Sequence, residues 1–358
     1  MSSDVQQFKC PQCGGKLEFD AKTQKMKCPF CDYSVDPEIS EVGETKNGSE
    51  NPNWDFSAKM LNDLEADELK SFVCTSCGGE IMTEKTTAAT HCPYCGNPVV
   101  LSERISGSIR PDCIIPFKVT EQEAKEEFRK FIKSRRFAPS SFGKESRLEK
   151  IRGVYVPFWL FDSDVFVSGD FEGRKVRHWR EGNYDCREVS YYSVYRSGEI
   201  KFQNVPIDAS KKMPDDLMDS IEPFDVSKAQ DFNTEYLSGF LADRYDMPSD
   251  VCSKRANECI RETAKASIIS TVTGYDSVST KSSVFNIIPE RTKYALFPVW
   301  ILNVSYHAQK YRFSMNGQTG KFVGNVPISK PKLSILFGSV AVGVTALLWG
   351  LGFLIGLY

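Results

Sequence analysis

The last 26 residues of the chain, 333–358, form one apolar segment, LSILFGSVAVGVTALLWGLGFLIGLY, without a charge or a proline. A bilayer core is about 30 Å thick and a helix rises about 1.5 Å per residue, so about 20 apolar residues span it. In hydrocarbon every backbone N–H and C=O needs an internal partner, which a helix supplies. The segment therefore predicts a transmembrane helix. The alternative is a buried core helix, which usually keeps a polar face that this segment lacks.

The flanks of this segment predict its orientation. Lys330 and Lys332 directly precede it, and basic flanks favour the cytoplasmic side of a membrane. Residues 1–10, MSSDVQQFKC, contain no apolar core of a signal peptide. We expect a single-pass, tail-anchored protein of the cell (inner) membrane, bound to the membrane through residues 333–358, with the bulk of the chain in the cytoplasm.

Eight cysteines form two modules of the same spacing, C-x2-C-x14-C-x2-C, offset by 64 positions. Two C-x2-C pairs place four thiolates around one tetrahedral zinc ion and leave no position for water, so such sites are structural. Clustered cysteines in a reducing cytosol more often bind metal than form disulfides, although iron or disulfides stay as alternatives. The pattern predicts two structural Zn2+ ions in two zinc ribbons. The predicted ligands are Cys10, Cys13, Cys28, Cys31, Cys74, Cys77, Cys92 and Cys95.

Neither module has enough apolar residues to fold alone, so zinc would supply the folding free energy, about 10–16 kcal/mol for sites of this kind. The apolar residues of the first module are few: Phe8, Leu17, Phe19, Met26 and Phe30. Four further cysteines lack the spacing typical of metal ligands and are expected to be buried thiols: Cys113, Cys186, Cys252 and Cys259.

The charge of the ribbon region argues against nucleic acid as a partner. Residues 1–100 carry nine Lys or Arg and sixteen Asp or Glu, a net charge of −7. Affinity for nucleic acid comes mostly from basic residues that neutralise phosphates. A membrane-tethered nucleic-acid-binding protein is therefore the alternative rather than the leading hypothesis. His91, beside Cys92, is expected to be a solvated turn residue rather than a ligand.

Two segments near the ribbons are amphipathic. The acidic linker 37–71 contains apolar residues at near-helical spacing between Trp54 and Leu69, which predicts a short helix that docks on this protein or on a partner. After the second ribbon, Thr120 and Glu123 form a capping box that opens a helix with a basic end. Two interpretations of that end stay open: complementing the helix dipole, or contacting the anionic inner leaflet.

The region 102–329 predicts an α+β fold with a mixed antiparallel sheet. We expect a strand at 154–162, a hairpin turning at Glu172 and Gly173, and a buried aromatic strand at 189–195. A second strand at 296–303 shares a Pro-x-Trp pattern with the first, so the two units are expected to pair in one sheet. Further elements are a strand at 112–117, helices at 213–220 and around 236–241, and a hairpin turning at Asn316 and Gly317. A third helix is expected to be capped by Ser249 and to have these residues on one face: Cys252, Ala256, Cys259, Ile260 and Thr263.

The predicted domains are ribbon 1 at 1–36, the acidic linker at 37–71, ribbon 2 at 72–101, the α+β region at 102–329 and the membrane segment at 330–358. The chain contains no phosphate-binding loop of the G-x-x-x-x-G-K-[ST] type and no G-x-S-x-G nucleophile elbow. We therefore predict no catalytic residues and no enzyme. An unrecognised enzyme in the α+β region stays as the alternative, because catalytic groups need proximity in space rather than in sequence.

The combination of motifs resembles the bacterial YdjG-like zinc-ribbon (TFIIB-type) tail-anchored membrane proteins. The resemblance covers nearly the whole chain and rests on two CPxCG-type ribbons and on the segments PDCIIPF at 111–117, VPFWL at 156–160, FPVW at 297–300 and MNGQTGK at 315–321. It implies that the eight ribbon cysteines bind zinc. It also implies phage-shock-type envelope-stress proteins and flotillin-like (SPFH) membrane proteins as partners.

These features together predict a membrane-anchored zinc-ribbon adaptor that presents a protein-binding surface to the cytosol. Within the apolar segment, Ala346 and Gly350, and again Gly352 and Gly356, are small residues four positions apart. Such spacing permits close approach of two helices, so a homo- or hetero-oligomer through the transmembrane helix is expected.

Overall fold

The computed structural model describes residues 5–6, 8–37, 70–73, 80–83, 87–91, 97–101, 110–139, 142, 151–306 and 309–354. These residues form a mixed α+β structure, as the sequence predicts. Its α-helices are α1 (Glu121–Ser134), α2 (Asp215–Ile221), α3 (Ser249–Ser270) and α4 (Lys330–Leu354). Its strands are β1 (Val5–Gln6), β2 (Glu18–Asp20), β3 (Lys25–Lys27), β4 (Ser34–Val35), β5 (Lys70–Val73), β6 (Glu80–Thr83), β7 (Thr87–His91), β8 (Pro98–Leu101), β9 (Cys113–Ile114), β10 (Arg152–Glu181), β11 (Tyr184–Asp208), β12 (Gln230–Asp231), β13 (Leu241–Asp243), β14 (Ser277–Tyr306), β15 (Gln309–Asn316) and β16 (Phe322–Gly324).

The chain divides into two compact units. Unit 1 comprises residues 1–116, 155–214 and 225–297, and unit 2 comprises residues 117–154, 215–224 and 298–358. In unit 1 the main sheet has the order β1-β8-β7-β13-β10-β14, with β11 paired to β10 and β9 paired to β12 and β14. Two smaller sheets, β2-β3-β4 and β5-β6, belong to the same unit.

Two elements of unit 1, β10 and β11, are unusually long, with 30 and 25 residues, whereas most strands have 3–10. They pair as one antiparallel hairpin from Phe158 and Asp208 to Glu181 and Tyr184. We call the distal part of this hairpin, residues 163–181 and 184–202, the arm. The predicted strand at 154–162 is the beginning of β10.

The predicted hairpin turn at Glu172 and Gly173 is wrong, because β10 continues through both residues. The actual turn lies at Gly182, whose φ of +61° is a conformation that glycine adopts without strain. Gly173 has a different role, since a Cβ at this position would lie 2.5 Å from the ring of Tyr275. This glycine therefore permits a close aromatic contact within a strand rather than a turn.

The strand β14 is the neighbour of β10 in the sheet, as the shared Pro-x-Trp pattern predicts. Contacts along the two strands run in opposite chain directions. The backbone N–H of Asp276 donates to the carbonyl of Arg174, and farther along the Ser282 hydroxyl donates to Asp170 at 2.9 Å. The rings of Phe158 and Phe297 stack with centroids 4.5 Å apart. The two strand units thus share one core.

Helix α3 covers one face of the arm. Its buried residues recur every four positions: Cys252, Ala256, Ile260, Ala264 and Ile268. Ile268 packs with Val167, Phe171 and Val194 of the arm. The helix begins at Ser249, but the expected capping by Ser249 is wrong, because Pro248 is the N-cap residue and no side-chain hydrogen bond caps the helix. Cys259, expected on the buried face, is exposed. A helical period of 3.6 places residue 259 on the solvent side of a stripe that passes through residues 256 and 260.

The aromatic segment 189–195 forms part of β11 but is not buried, so that prediction is wrong. Tyr191 and Tyr195 are 64% and 61% exposed, and Tyr192 is 43% exposed, whereas Val194 is 7% exposed. The reason is topological: β11 pairs with β10 on one edge, and α3 covers only the face that carries Val194. High strand propensity predicts a strand but not whether both of its faces are covered.

The helix predicted around 236–241 is also wrong. The structure has a 3-10 helix at Thr234–Leu237, followed by β13. Between them Gly239 adopts a φ of +93°, a left-handed value that ends the helical turn. The predicted helix at 213–220 corresponds to α2, and the predicted strand at 112–117 is represented by the short strand β9.

Unit 2 has an aromatic core around α1. Thr120 accepts a hydrogen bond from the Glu123 N–H, and the Glu123 carboxylate accepts from the Thr120 N–H, so the predicted capping box is confirmed. The ring of Phe128 lies edge-on to the ring of Phe313, with centroids 5.3 Å apart. The predicted hairpin after β15 is confirmed too, and the Asn316 side chain accepts from two backbone N–H groups of its turn.

Helix α4 is the single helix of the described residues that is long and apolar enough to cross a membrane, over Lys330–Trp349. None of this stretch is buried inside the structure. Phe337, Leu347 and Trp349 are 71%, 69% and 73% exposed. Exposure of so many large apolar side chains to water is unfavourable, at about 25 cal/mol for each Å².

Candidate metal centre

Four cysteines of the first module come together at one point of unit 1. The Sγ atoms of Cys10 and Cys31 lie 3.5 Å apart, and those of Cys13 and Cys28 lie 3.6 Å apart. All four sulfur atoms are within 4.8 Å of one another. A tetrahedron with Zn–S bonds of about 2.3 Å has S–S edges of about 3.8 Å. The donor set and its spacing therefore fit one metal ion.

Two backbone turns of the same form hold these cysteines. The carbonyl of Cys10 accepts a hydrogen bond from the Gly14 N–H at 2.9 Å, and the carbonyl of Cys28 accepts from the Asp32 N–H at 3.1 Å. Gly14 and Asp32 have φ values of +71° and +56°, both in the left-handed region. Glycine adopts this conformation without strain, and aspartate is among the few other residues that visit it. In the sequence, a glycine marks the left-handed position of the first turn, whereas the same position of the second turn is an aspartate, Asp32, that no glycine marks.

The small sheet β2-β3-β4 connects the two turns. Phe19 of β2 pairs with Met26 of β3, which pairs with Val35 of β4. Phe19 and Met26 are 4% and 1% exposed, so both belong to the core as the sequence predicts. A sheet whose three strands have only 3, 3 and 2 residues buries too little apolar surface to be stable by itself. The ribbon needs a metal, a neighbour, or both.

The site has a buried side and an open side. Cys10 and Cys28 are 2% and 0% exposed, whereas Cys13 and Cys31 are exposed. Phe30, one of the few apolar residues of this module, is 72% exposed and lies on the open side. Its ring rests over Gly15, where a Cβ would come within 2.8 Å of the ring and 3.2 Å of the Cys13 sulfur. Only glycine at position 15 leaves room for both.

The surroundings of Cys28 favour its thiolate form. Burial disfavours the thiolate, but hydrogen bonds from the backbone N–H groups of Phe30 and Cys31, together with those from the Cys13 and Cys31 thiols, lower the pKa of Cys28 to about 7. Such N–H groups directed at sulfur stabilise a metal-bound thiolate in the same way. Beside the site, a hydrogen bond and a 3.0 Å ion pair with Asp32 raise the pKa of Lys27.

The ribbon docks on the segment that contains the 3-10 helix. Phe19 and Tyr236 meet edge-on with ring centroids 5.0 Å apart. The Phe19 N–H donates to the Ser238 carbonyl at 3.0 Å, and the buried Ser238 hydroxyl donates to the Leu17 carbonyl at 2.7 Å. Sequence reasoning missed Tyr236 and Ser238 as ribbon contacts, because they lie more than 200 residues away and no local pattern marks them.

The other predicted ligands, Cys74, Cys77, Cys92 and Cys95, lie outside the described residues, as do most of the acidic linker and its predicted helix. Strands β5 to β8 of the second module are described, and His91, expected in a turn, lies in β7 opposite Pro98. Among the four cysteines without metal spacing, Cys252 is buried as predicted. Cys113 and Cys186 are only partly buried and Cys259 is exposed, which corrects the prediction for these three.

Comparisons with known proteins support the family but add no function. The chain is similar to the uncharacterized protein YdjG of Bacillus subtilis (strain 168), with 34% identity over 336 residues. The aligned region covers 94% of this chain and 94% of that protein. No family model and no solved structure matches the chain. Identity at this level over nearly the whole length places the chain in the YdjG family.

Proposed function

We propose that this protein is a membrane-anchored zinc-ribbon adaptor. The observation that carries the proposal is the exposed Phe30 ring, held over Gly15 beside a cysteine cluster that fits one metal ion. A large aromatic residue fixed at a rigid, solvent-exposed position is the kind of residue that dominates protein–protein interfaces. The proposed partner-binding surface therefore comprises Phe30 and the exposed knuckle residues Cys13 and Cys31.

In this proposal the metal is structural zinc. Cys10, Cys13, Cys28 and Cys31 would hold one Zn2+ ion, and four thiolates leave no open position for water or substrate. The same spacing in the second module supports a second zinc ion held by Cys74, Cys77, Cys92 and Cys95. Zinc would cross-link the two knuckle turns, and the ribbon's own residues would then dock through Phe19 on the Tyr236 segment.

The membrane part of the proposal rests on helix α4. We propose that α4 crosses the cell membrane once and that the remainder of the chain lies on its cytoplasmic side, in accord with Lys330 and Lys332 at the beginning of the helix. The resemblance to YdjG-like proteins adds flotillin-like or phage-shock-type membrane proteins as the proposed partners. An adaptor of this kind would keep a cytosolic binding surface close to such partners.

The ion pairs of the first ribbon argue against the nucleic-acid alternative. Lys25 and Lys27 lie 3.2 Å and 3.0 Å from Asp36 and Asp32, and Lys16 pairs with Glu18. Lysines neutralised inside the ribbon contribute less to phosphate binding. The second alternative, an enzyme in the α+β region, stays a hypothesis that no observation here favours.

A capture experiment with the intact protein tests the proposal. Full-length wild type and Phe30→Ser are solubilised from membranes of the native host, and the amounts of co-purified flotillin-like and phage-shock-type proteins are compared. We expect Phe30→Ser to keep its zinc and to lose the partner. Tyr184→Ser is the matched control, since Tyr184 is 78% exposed at the far end of the arm. Equal capture by wild type and Phe30→Ser would contradict the proposed surface.

A further inference from the structure

The second edge of β11 is open. Within the described residues, β11 pairs only with β10, although its register with β10 is uninterrupted from Tyr184 to Phe202. Proline is absent from this stretch, and the first one in β11 is Pro206. An open strand edge presents a row of backbone N–H and C=O groups that another strand can pair with. Proteins usually shorten, bend or cover such an edge, and here it is long and regular.

Side chains along this edge are accessible. From 187 to 199, Val194 is the single buried residue, and it packs under α3. Asp185, Arg187, Glu199 and Lys201 are exposed and project from the face that α3 does not cover, the same face as Tyr191 and Tyr195. An approaching strand would therefore meet a defined row of charges and aromatic rings on a backbone edge that no other strand covers. The exposed Arg196 side chain donates to the Tyr195 carbonyl at 2.9 Å on this strand and would give way to the new strand.

We propose that the occupant of this edge is β11 of a second copy of the chain, paired antiparallel about a twofold axis at Ser193. In this register Asp185 lies opposite Lys201 of the second copy, and Arg187 lies opposite its Glu199. Twofold symmetry makes each of these pairs occur twice. Tyr191 lies opposite Tyr195, and directly opposed charges and aromatic rings stabilise neighbouring strands. With β14 beside each arm, the two copies together form one continuous six-stranded sheet with both α3 helices on the same face.

The charges select this register among its neighbours. If the axis moves to Tyr192, Asp185 lies opposite Glu199, and if it moves to Val194, Arg187 lies opposite Lys201. Both alternatives place like charges directly opposite each other, which is destabilising. Registers with the axis between two residues are excluded by side-chain alternation. A slip of one residue would place side chains of one face of the sheet opposite side chains of the other face. Lys201 also lies 3.5 Å from Asp164 in its own arm and would bridge the two carboxylates.

A closed pair fits better than an open chain of copies. Pairing of β11 with the outer edge of β14 would generate an open filament, because two different edges would meet. That edge carries Pro289, which has no N–H to donate to a new strand. The β11 edge has no such interruption from Asp185 to Lys201, a length of about 55 Å at about 3.4 Å per residue. The proposal does not rest on the adaptor function.

Cysteine cross-linking tests the register in the full-length protein in detergent. Ser193→Cys places two thiols directly opposite each other across the axis, so mild oxidation is expected to give a covalent dimer. Ser197→Cys is the matched control on the same strand and face, because its counterpart lies about 27 Å away, eight residues along the strand. Equal cross-linking of both variants would mean random collision and would overturn the register.

Charge reversal tests the interface independently. Arg187→Glu places a second carboxylate opposite Glu199 at two positions in each dimer, and about tenfold weaker dimerisation is expected by mass photometry. The double variant with Arg187→Glu and Glu199→Arg restores both pairs and is expected to recover wild-type dimerisation, which also shows that the arm folds. The proposal would be overturned if the wild type were a monomer or a larger assembly. It would also be overturned if Arg187→Glu left the dimer unaffected, because the dimer would then form through another surface.

Discussion

The ring of Phe19 in the ribbon lies edge-on to the ring of Tyr236, with centroids 5.0 Å apart. Both residues are buried, at 4% and 9% exposure. Together with the hydrogen bonds of Ser238, this contact makes the Tyr236 segment part of the ribbon's core. The ribbon is therefore not an independently folding domain, and its stability depends on residues from the α+β region.

Tyr236→Ala is expected to destabilise the ribbon. Removal of a buried aromatic ring costs about 3 kcal/mol, because the transfer free energy is lost and a cavity remains. The Tyr236 hydroxyl also donates to the Gln230 side chain, and this bond is lost as well. We expect faster proteolytic cleavage near the ribbon and a lower apparent melting temperature of the zinc-loaded protein. Tyr184→Ala, at a 78% exposed position, is the control and should change neither; equal effects of both would contradict the contact.

Zinc content is expected to follow the two cysteine modules separately. Wild type should contain two zinc ions per chain by mass spectrometry of the metal, and Cys28→Ser should contain one, because three thiolates bind zinc less tightly than four. Cys74→Ser combined with Cys77→Ser should remove the other. Cys259→Ser, at an exposed thiol on α3, is the control and should keep both ions. An unchanged zinc content in Cys28→Ser would contradict the site.

Acidification is expected to release the metal from the first ribbon. Zinc binds thiolates, so protons compete with it as the pH falls. Although burial disfavours the Cys28 thiolate, hydrogen bonds from backbone N–H groups and from the neighbouring thiols lower its pKa to about 7 from its ordinary value of 9.0. A lowered pKa of Cys28 stabilises the folded ribbon fully at pH values above the ordinary thiol pKa of 9.0. This stabilisation is lost as the pH falls through about 7. A chromogenic zinc chelator should report release between about pH 7 and pH 5, and retention of all zinc below this range would contradict a thiolate site.

The cysteine cluster of the first module and the apolar helix could be predicted from the sequence because both depend on local patterns. Cysteine spacing determines which thiols can meet, so the positions of Cys10 and Cys28 in one cluster follow from two short turns. The Thr120 and Glu123 capping box and the turn at Asn316 are equally local, and the structure confirms both. In each case a few neighbouring residues define the geometry.

Features that depend on distant contacts could not be predicted in the same way. A glycine after an acidic residue is typical of a turn, but Gly173 lies in a strand because Tyr275, a hundred residues away, packs against it. The exposure of Tyr191 depends on which face α3 covers, and the sequence of β11 does not contain that information. The docking of Phe19 on Tyr236 is of the same kind.

Charged residues within α4 are expected to release the protein from the membrane. An arginine at the centre of a transmembrane helix costs about 2.5–3.5 kcal/mol, so Val340→Arg with Val344→Arg costs about 5–7 kcal/mol. In membrane fractionation with carbonate extraction, this double variant should appear in the soluble or aggregated fraction. Val251→Arg, at a 52% exposed position on α3, is the control and should stay in the membrane fraction. Persistence of the double variant in the membrane would contradict a spanning helix.

Gly173→Ala is expected to destabilise the arm, whereas Gly198→Ala should not. A Cβ at position 173 would lie 2.5 Å from the Tyr275 ring, and overpacking of this kind costs about 1–3 kcal/mol. At Gly198 a Cβ meets nothing within 4 Å, and removal of a glycine from a strand interior gains about 0.5–1 kcal/mol. Thermal denaturation of both full-length variants provides the comparison. Gly173→Ala with Tyr275→Ser should recover part of the loss, and equal melting temperatures for the two glycine variants would contradict the close contact between Gly173 and the Tyr275 ring.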